Sequence, residues 1–102
     1  MTDILEPQDC TTMAEVRAGV DDTDRRIVAL LARRFGYMDA AARIKPDRSV
    51  VRDETRKAEV LDKIRSTAVE HGLDPDLLAN LYDQLIEACI AYEFEEFDRL
   101  RA

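Results

Sequence analysis

Tryptophan is absent, and 102 residues hold only three glycines, three prolines, two cysteines and one histidine. So few chain breakers leave little room for the turns of a many-stranded sheet, and apolar residues recur at helical rather than alternating spacing. The chain therefore reads as all-α. Cys10 and Cys89 stand far apart and match no metal or redox spacing, which argues against a metal site and suits a reducing cytoplasm. No basic segment precedes a long apolar run, so neither a targeting signal nor a membrane span is expected. Fifteen Lys and Arg against 22 Asp and Glu give a formal net charge of -7. Such a balance excludes the broad basic face that a nucleic-acid binder needs, and any cationic site must be local.

The length allows one domain with a small core, which makes a partner chain the natural source of further burial. Residues 1–11 show no periodicity and read as a loose arm, with a helical domain over 12–102. Thr12 and Glu15 form a capping box, after which Met13, Val16, Val20, Ile27, Leu30, Leu31, Met38, Ala41 and Ile44 keep helical spacing up to Pro46. A helix of about 33 residues is about 50 Å long, too long for two shorter helices of the same chain to cover. It must pack against a second copy. Residues 46–52 form a polar connection. Asp53 caps a second helix with Val60, Leu61 and Ile64 that stops at Gly72, and Asp74 with Pro75 opens a third. On that third helix Leu77, Leu78, Leu81, Leu85, Ile86, Ile90, Phe94 and Phe97 form the expected buried face.

Four charges occupy positions where the helical period calls for apolar residues. At about 100° per residue, Arg34 and Lys45 project within about 20° of each other, in the stripe of Ile27, Leu30, Met38 and Ala41. Arg17 shares a face with Met13, Val20 and Leu31, and Asp24 lies two turns above it, near enough in angle to meet it directly or through a neighbour. Glu93 falls between Ile86, Cys89, Ile90 and Phe97. A buried charge without a partner costs several kcal/mol, and Asp24 and Glu93 are too few anions for these cations. The excess suits an anionic ligand held by guanidinium groups. Arg17 and Arg34 are about 25 Å apart along one helix, so one small molecule meets both only if two copies pair antiparallel. Taken singly, an Arg or Lys at a stripe's edge is more often a snorkelling side chain than a ligand, and Glu93 alone reads as ion-paired. Cys89 alone reads as a small packing residue, Cys10 as an inert loop thiol, and His71 as a helix-end cation.

Arg17, Arg34 and Lys45 at these intervals, followed by VRDETR at 51–56, resemble the all-helical chorismate mutase family over residues 12–97. The resemblance implies a three-helix protomer with one very long N-terminal helix, an intertwined homodimer, and two sites to which the partner chain contributes Arg17. Arg17 and Arg34 would bind the two carboxylates of a ring dicarboxylate, and Lys45 its ether oxygen. Arg56 would assist at a carboxylate and Asp53 would sit near the ring hydroxyl. Glu93 would face the ether oxygen, and Cys89 would take the place of a small polar residue. The implied activity is the rearrangement of chorismate to prephenate in aromatic amino acid biosynthesis, which needs no metal or cofactor. Holding the reactive conformer and matching the charge that grows on the ether oxygen are enough.

Three positions depart from the family pattern. Lys57 stands where an acidic residue usually serves the ring hydroxyl, Pro46 follows Lys45 directly, and Glu93 replaces a more familiar glutamine. An ionised Glu93 would repel the developing oxyanion, so the role requires the protonated form, which apolar surroundings favour. Activity is then expected to decline as pH rises. The nearest rival is the isochorismate pyruvate-lyase branch of the same family, which the DCTTMAEVR segment at 9–17 and the ARRFGYMDAAARIK segment at 32–45 resemble as well. A third reading, from a different class, is a helical dimerisation or regulatory module without chemistry.

Overall fold

The computed structural model describes residues 3–102, which form three α-helices and, among the described residues, no strand. They are α1 (Met13–Ile44), α2 (Glu54–Glu70) and α3 (Pro75–Leu100), with short 3-10 turns at Pro7–Asp9 and Arg48–Val50. Two compact units are distinguished, one ending at Gly36 and one running from Tyr37 to Ala102. Among the described residues no helix is long and apolar enough to cross a membrane.

In the first unit the capping box at Thr12 and Glu15 is fully formed. The Glu15 carboxylate accepts from the Thr11 and Thr12 amides at 2.9 and 3.0 Å, and Thr12 Oγ1 accepts from the Glu15 amide at 3.2 Å. These bonds hold the Glu15 carboxyl below its ordinary range, the Thr11 amide contributing most. Leu5, Pro7 and Cys10 face Val16 and Val20 across a cavity of about 460 Å³. Met13, Val16, Val20, Ile27, Val28 and Leu30 all remain exposed along α1.

In the second unit α2 and α3 form an antiparallel hairpin, as the cross-pairs Lys57–Asp83 and Arg65–Asp76 require. The connection explains itself locally. Gly72 adopts φ 73, the left-handed geometry that glycine enters without penalty. This lets the Leu73 amide donate to the Ala68 carbonyl at 2.8 Å and the Gly72 amide to Val69 at 3.1 Å, a Schellman closure of α2. Asp74 then accepts from the Asp76 and Leu77 amides at 2.9 and 3.4 Å, with Pro75 starting α3. Asp74→Ala is therefore expected to cost about 1 kcal/mol. Thermal unfolding should show this as a drop of roughly 4–8 °C in the midpoint. An unchanged midpoint would mean that the cap adds nothing to the hairpin.

The core is small. Ala42, Val51 and Phe97 cluster with Phe94, and Ala68, Ala79, Ile86 and Cys89 complete the buried apolar set. Two expectations need correction. Val51 is buried, 3% exposed, within a segment read as a polar connection. Leu77 and Leu81, expected to be buried, are each 56% exposed. The apolar stripe of α3 is wider than the face that α2 covers, and only its Ala79, Ile86, Cys89, Glu93 and Phe97 edge is sealed within the protomer.

Candidate functional site

Glu93 is the one buried charged residue among those described, at 3% exposure. Its neighbours on α3 at one-turn spacing are Cys89 and Phe97, both buried, so the helical period carries the carboxylate inward with them. Lys45 meets it there. Lys45 Nζ donates to Glu93 Oε2 at 2.7 Å and to the Val51 carbonyl at 3.1 Å, while the lysine side chain stays 28% exposed. An ammonium has three donors, so two hold the lysine in place and one is left for an incoming oxygen. The pairing of Glu93 with one cation matches the expectation from its position in the stripe. The role of the Val51 carbonyl was not foreseen, and the one signal for it is the apolar Val50–Val51 pair inside an otherwise polar segment.

The segment after Lys45 is fastened to α3 at two points. Arg48 Nε donates to Asp98 Oδ1 at 2.9 Å, and its guanidinium lies 4.6 Å from the Phe94 ring centroid. Arg52 donates to both Glu87 oxygens, at 3.1 and 2.7 Å, and to Glu54 at 2.9 Å. Lys57 also joins Glu87, at 2.9 Å, and Asp83, at 2.8 Å. Where the family pattern has an acidic residue, this chain thus has a lysine engaged by α3. Arg52 and then Lys57 hold the Glu87 carboxyl down at about 2. The sign follows directly: stability from Glu87 is full above the ordinary carboxylate value of 4.5 and fades as pH falls from there toward about 2. The midpoint difference between wild type and Glu87→Gln should accordingly be constant from neutral pH to about 4.5 and vanish near 2. A difference that persists at pH 2 would assign it to packing.

The other expected site residues are placed as follows. Cys89 is buried one turn from Glu93, 2% exposed, and is in no disulfide. Asp53 caps α2, its carboxylate accepting from the Arg56 amide at 3.0 Å, and Arg56 is exposed with Glu59 at 3.6 Å. Arg17 and Arg34 belong to the first unit, Arg17 exposed and Arg34 half-buried. The direct ion pair of Asp24 with Arg17 is not formed, since seven residues of helix separate them by about 10 Å along the axis. The nearby carboxylate that does form ion pairs is Asp22, with Arg26 at 3.0 Å and Arg25 at 3.8 Å.

Fold and site together define an all-helical protein in which a half-buried lysine is paired with a buried glutamate. The chorismate mutase type II family model matches residues 16–94, and the chain belongs to that family. It is 34% identical over 95 residues to an isochorismate pyruvate lyase of Pseudomonas aeruginosa, covering 93% of this chain and 94% of that one. It is 30% identical over 76 residues to a chorismate mutase of Methanocaldococcus jannaschii, covering 74% of this chain and 77% of that one.

Proposed function

We propose that this chain is a chorismate mutase, converting chorismate to prephenate by a pericyclic rearrangement in which the ether C–O bond breaks as a C–C bond forms. The observation that carries the reading is Lys45 Nζ, fixed by Glu93 and Val51 in apolar packing with a donor to spare. A fixed donor stabilises the charge growing on the ether oxygen more than any charge in the ground state, which is the condition for catalysis. Arg17 and Arg34 hold the two carboxylates, Arg56 assists at one of them, and Asp53 lies near the ring hydroxyl. Glu93 takes a second position facing the ether oxygen, Cys89 stands one turn from it on α3 in the place of a small polar residue, and no metal or cofactor takes part.

The active form is a homodimer with shared sites, in which Arg17 comes from the second copy. The exposed Met13, Val20, Ile27, Val28 and Leu30 of α1, with Leu77 and Leu81 of α3, supply the apolar surface for it. Cys10 and Cys89, neither of them in a disulfide, suit a cytoplasmic location.

The lyase activity on isochorismate, giving salicylate and pyruvate, is a second reading, favoured by the 34% identity that extends over 93% of the chain. Loss of chorismate to prephenate and appearance of salicylate from isochorismate, each followed with the pure protein and with Lys45→Ala, separate the two. Fast, Lys45-dependent prephenate formation supports the mutase. Much faster salicylate formation transfers the assignment to the lyase, and a folded dimer that turns over neither would be a dimerisation module.

A further inference from the structure

Lys45 is followed by Pro46, which has no N–H, so the Ala42 carbonyl loses the donor that the next residue of a helix would provide. Ala42 is fully buried, 0% exposed, and a buried carbonyl without a donor is costly. The replacement comes from the far end of the chain. Arg101 Nη1 donates to the Ala42 carbonyl at 3.0 Å and to the Phe97 carbonyl at 3.3 Å, and Nη2 donates to the Lys45 carbonyl at 2.9 Å. The guanidinium lies 3.6 Å from the centroid of the buried Phe97 ring, which fixes its plane. A single planar cation thus caps the C-terminal end of α1 and holds the backbone of Lys45 against α3, the helix that carries Glu93.

We propose that Arg101 is a positioning residue for Lys45, and that Pro46 is what makes the chain depend on it. The proposal rests on the reading of Lys45 as the charge-matching donor. Arg101 touches no substrate in this scheme. It sets where the Lys45 main chain starts, and so where Nζ ends, and an ångström of drift there is costly to the rate. Lysine cannot replace it fully, because one ammonium does not span both carbonyls as the guanidinium fork does.

The test compares Arg101→Ala, Arg101→Lys and, as a control on the same turn, Arg99→Ala, whose side chain is exposed and bonds to Glu96 of its own helix. Prephenate formation is measured well below each thermal midpoint, with helicity checked by circular dichroism. Arg101→Ala should lower kcat about ten- to a hundredfold with KM within about twofold, Arg101→Lys should fall between it and wild type, and Arg99→Ala should match wild type. In a Pro46→Ala background residue 46 regains an N–H for Ala42, and the loss from Arg101→Ala should shrink. A purely structural role would move the midpoint alone and leave kcat per folded protomer unchanged, which would overturn the proposal. Should Arg101→Ala not fold, Arg101→Lys decides: wild-type kcat overturns it, and a reduced kcat with unchanged KM supports it. Lys45→Ala is assayed alongside. If it keeps wild-type kcat, the role given to Lys45 fails; if it loses activity while both Arg101 variants keep theirs, only the present inference fails.

Discussion

Lys45→Ala is expected to reduce kcat for chorismate by about 10²- to 10³-fold, the effect of removing one well-placed donor from a developing oxyanion, or about 2.7–4 kcal/mol. KM should change little, since the ground-state ether oxygen carries almost no charge for the lysine to bind. The substitution also strands Glu93. That carboxylate is 5% exposed at its side chain and has Lys45 at 2.7 Å, so the variant should lose stability as well, by an amount on the order of 3 kcal/mol. Adding Glu93→Gln to Lys45→Ala should recover part of that stability and none of the activity. This separates the structural share of the ion pair from its share in catalysis.

Glu93→Gln alone is informative in the other direction. An amide keeps a hydrogen bond to Lys45 and removes a negative charge from the place where negative charge must grow. At a single pH, kcat of Glu93→Gln should therefore equal or exceed that of wild type. A fall as large as that of Lys45→Ala would mean that the ionic anchor of the lysine, at 2.7 Å, outweighs the removed charge.

How much of this was legible in the residues depends on range. The helix starts were, because each is written locally: Thr12 with Glu15, Asp53, and Asp74 with Pro75 all satisfy amides within three or four residues. The inward position of Glu93 was legible too, since helical period fixes the face of a side chain once the helix is known. That it serves one cation follows from the scarcity of buried anions, whereas the choice of Lys45 carries no mark in the sequence. Contacts across tens of residues left no comparable mark. Nothing near Arg52 or Lys57 points to Glu87, which lies 35 and 30 residues away. Arg101 sits past the last periodic residue, and the one local sign of its role is Pro46 directly after Lys45, whose missing N–H orphans a carbonyl without saying which distant donor serves it. The exposure of Leu77 and Leu81 was missed for another reason. Period tells which residues form a stripe, whereas the neighbouring element decides how much of the stripe is covered.

Two inactive variants are expected to regain activity when mixed. If Arg17 of one copy serves the Lys45 site of the other, a heterodimer of Arg17→Ala and Lys45→Ala holds one site with both residues intact and one with neither. Random pairing makes about half of the dimers mixed, and each has half its sites, so the mixture should reach about a quarter of wild-type activity while each parent stays near background. The geometry makes this the discriminating case, because seventeen residues of α1 between Arg17 and Arg34 span about 25 Å, beyond the reach of one small dicarboxylate. Sites formed within a single protomer give heterodimers in which each chain is still defective, and the mixture then remains at background. Dilution provides an independent check, since an enzyme whose sites need two chains loses specific activity as the dimer dissociates, and one with self-contained sites does not.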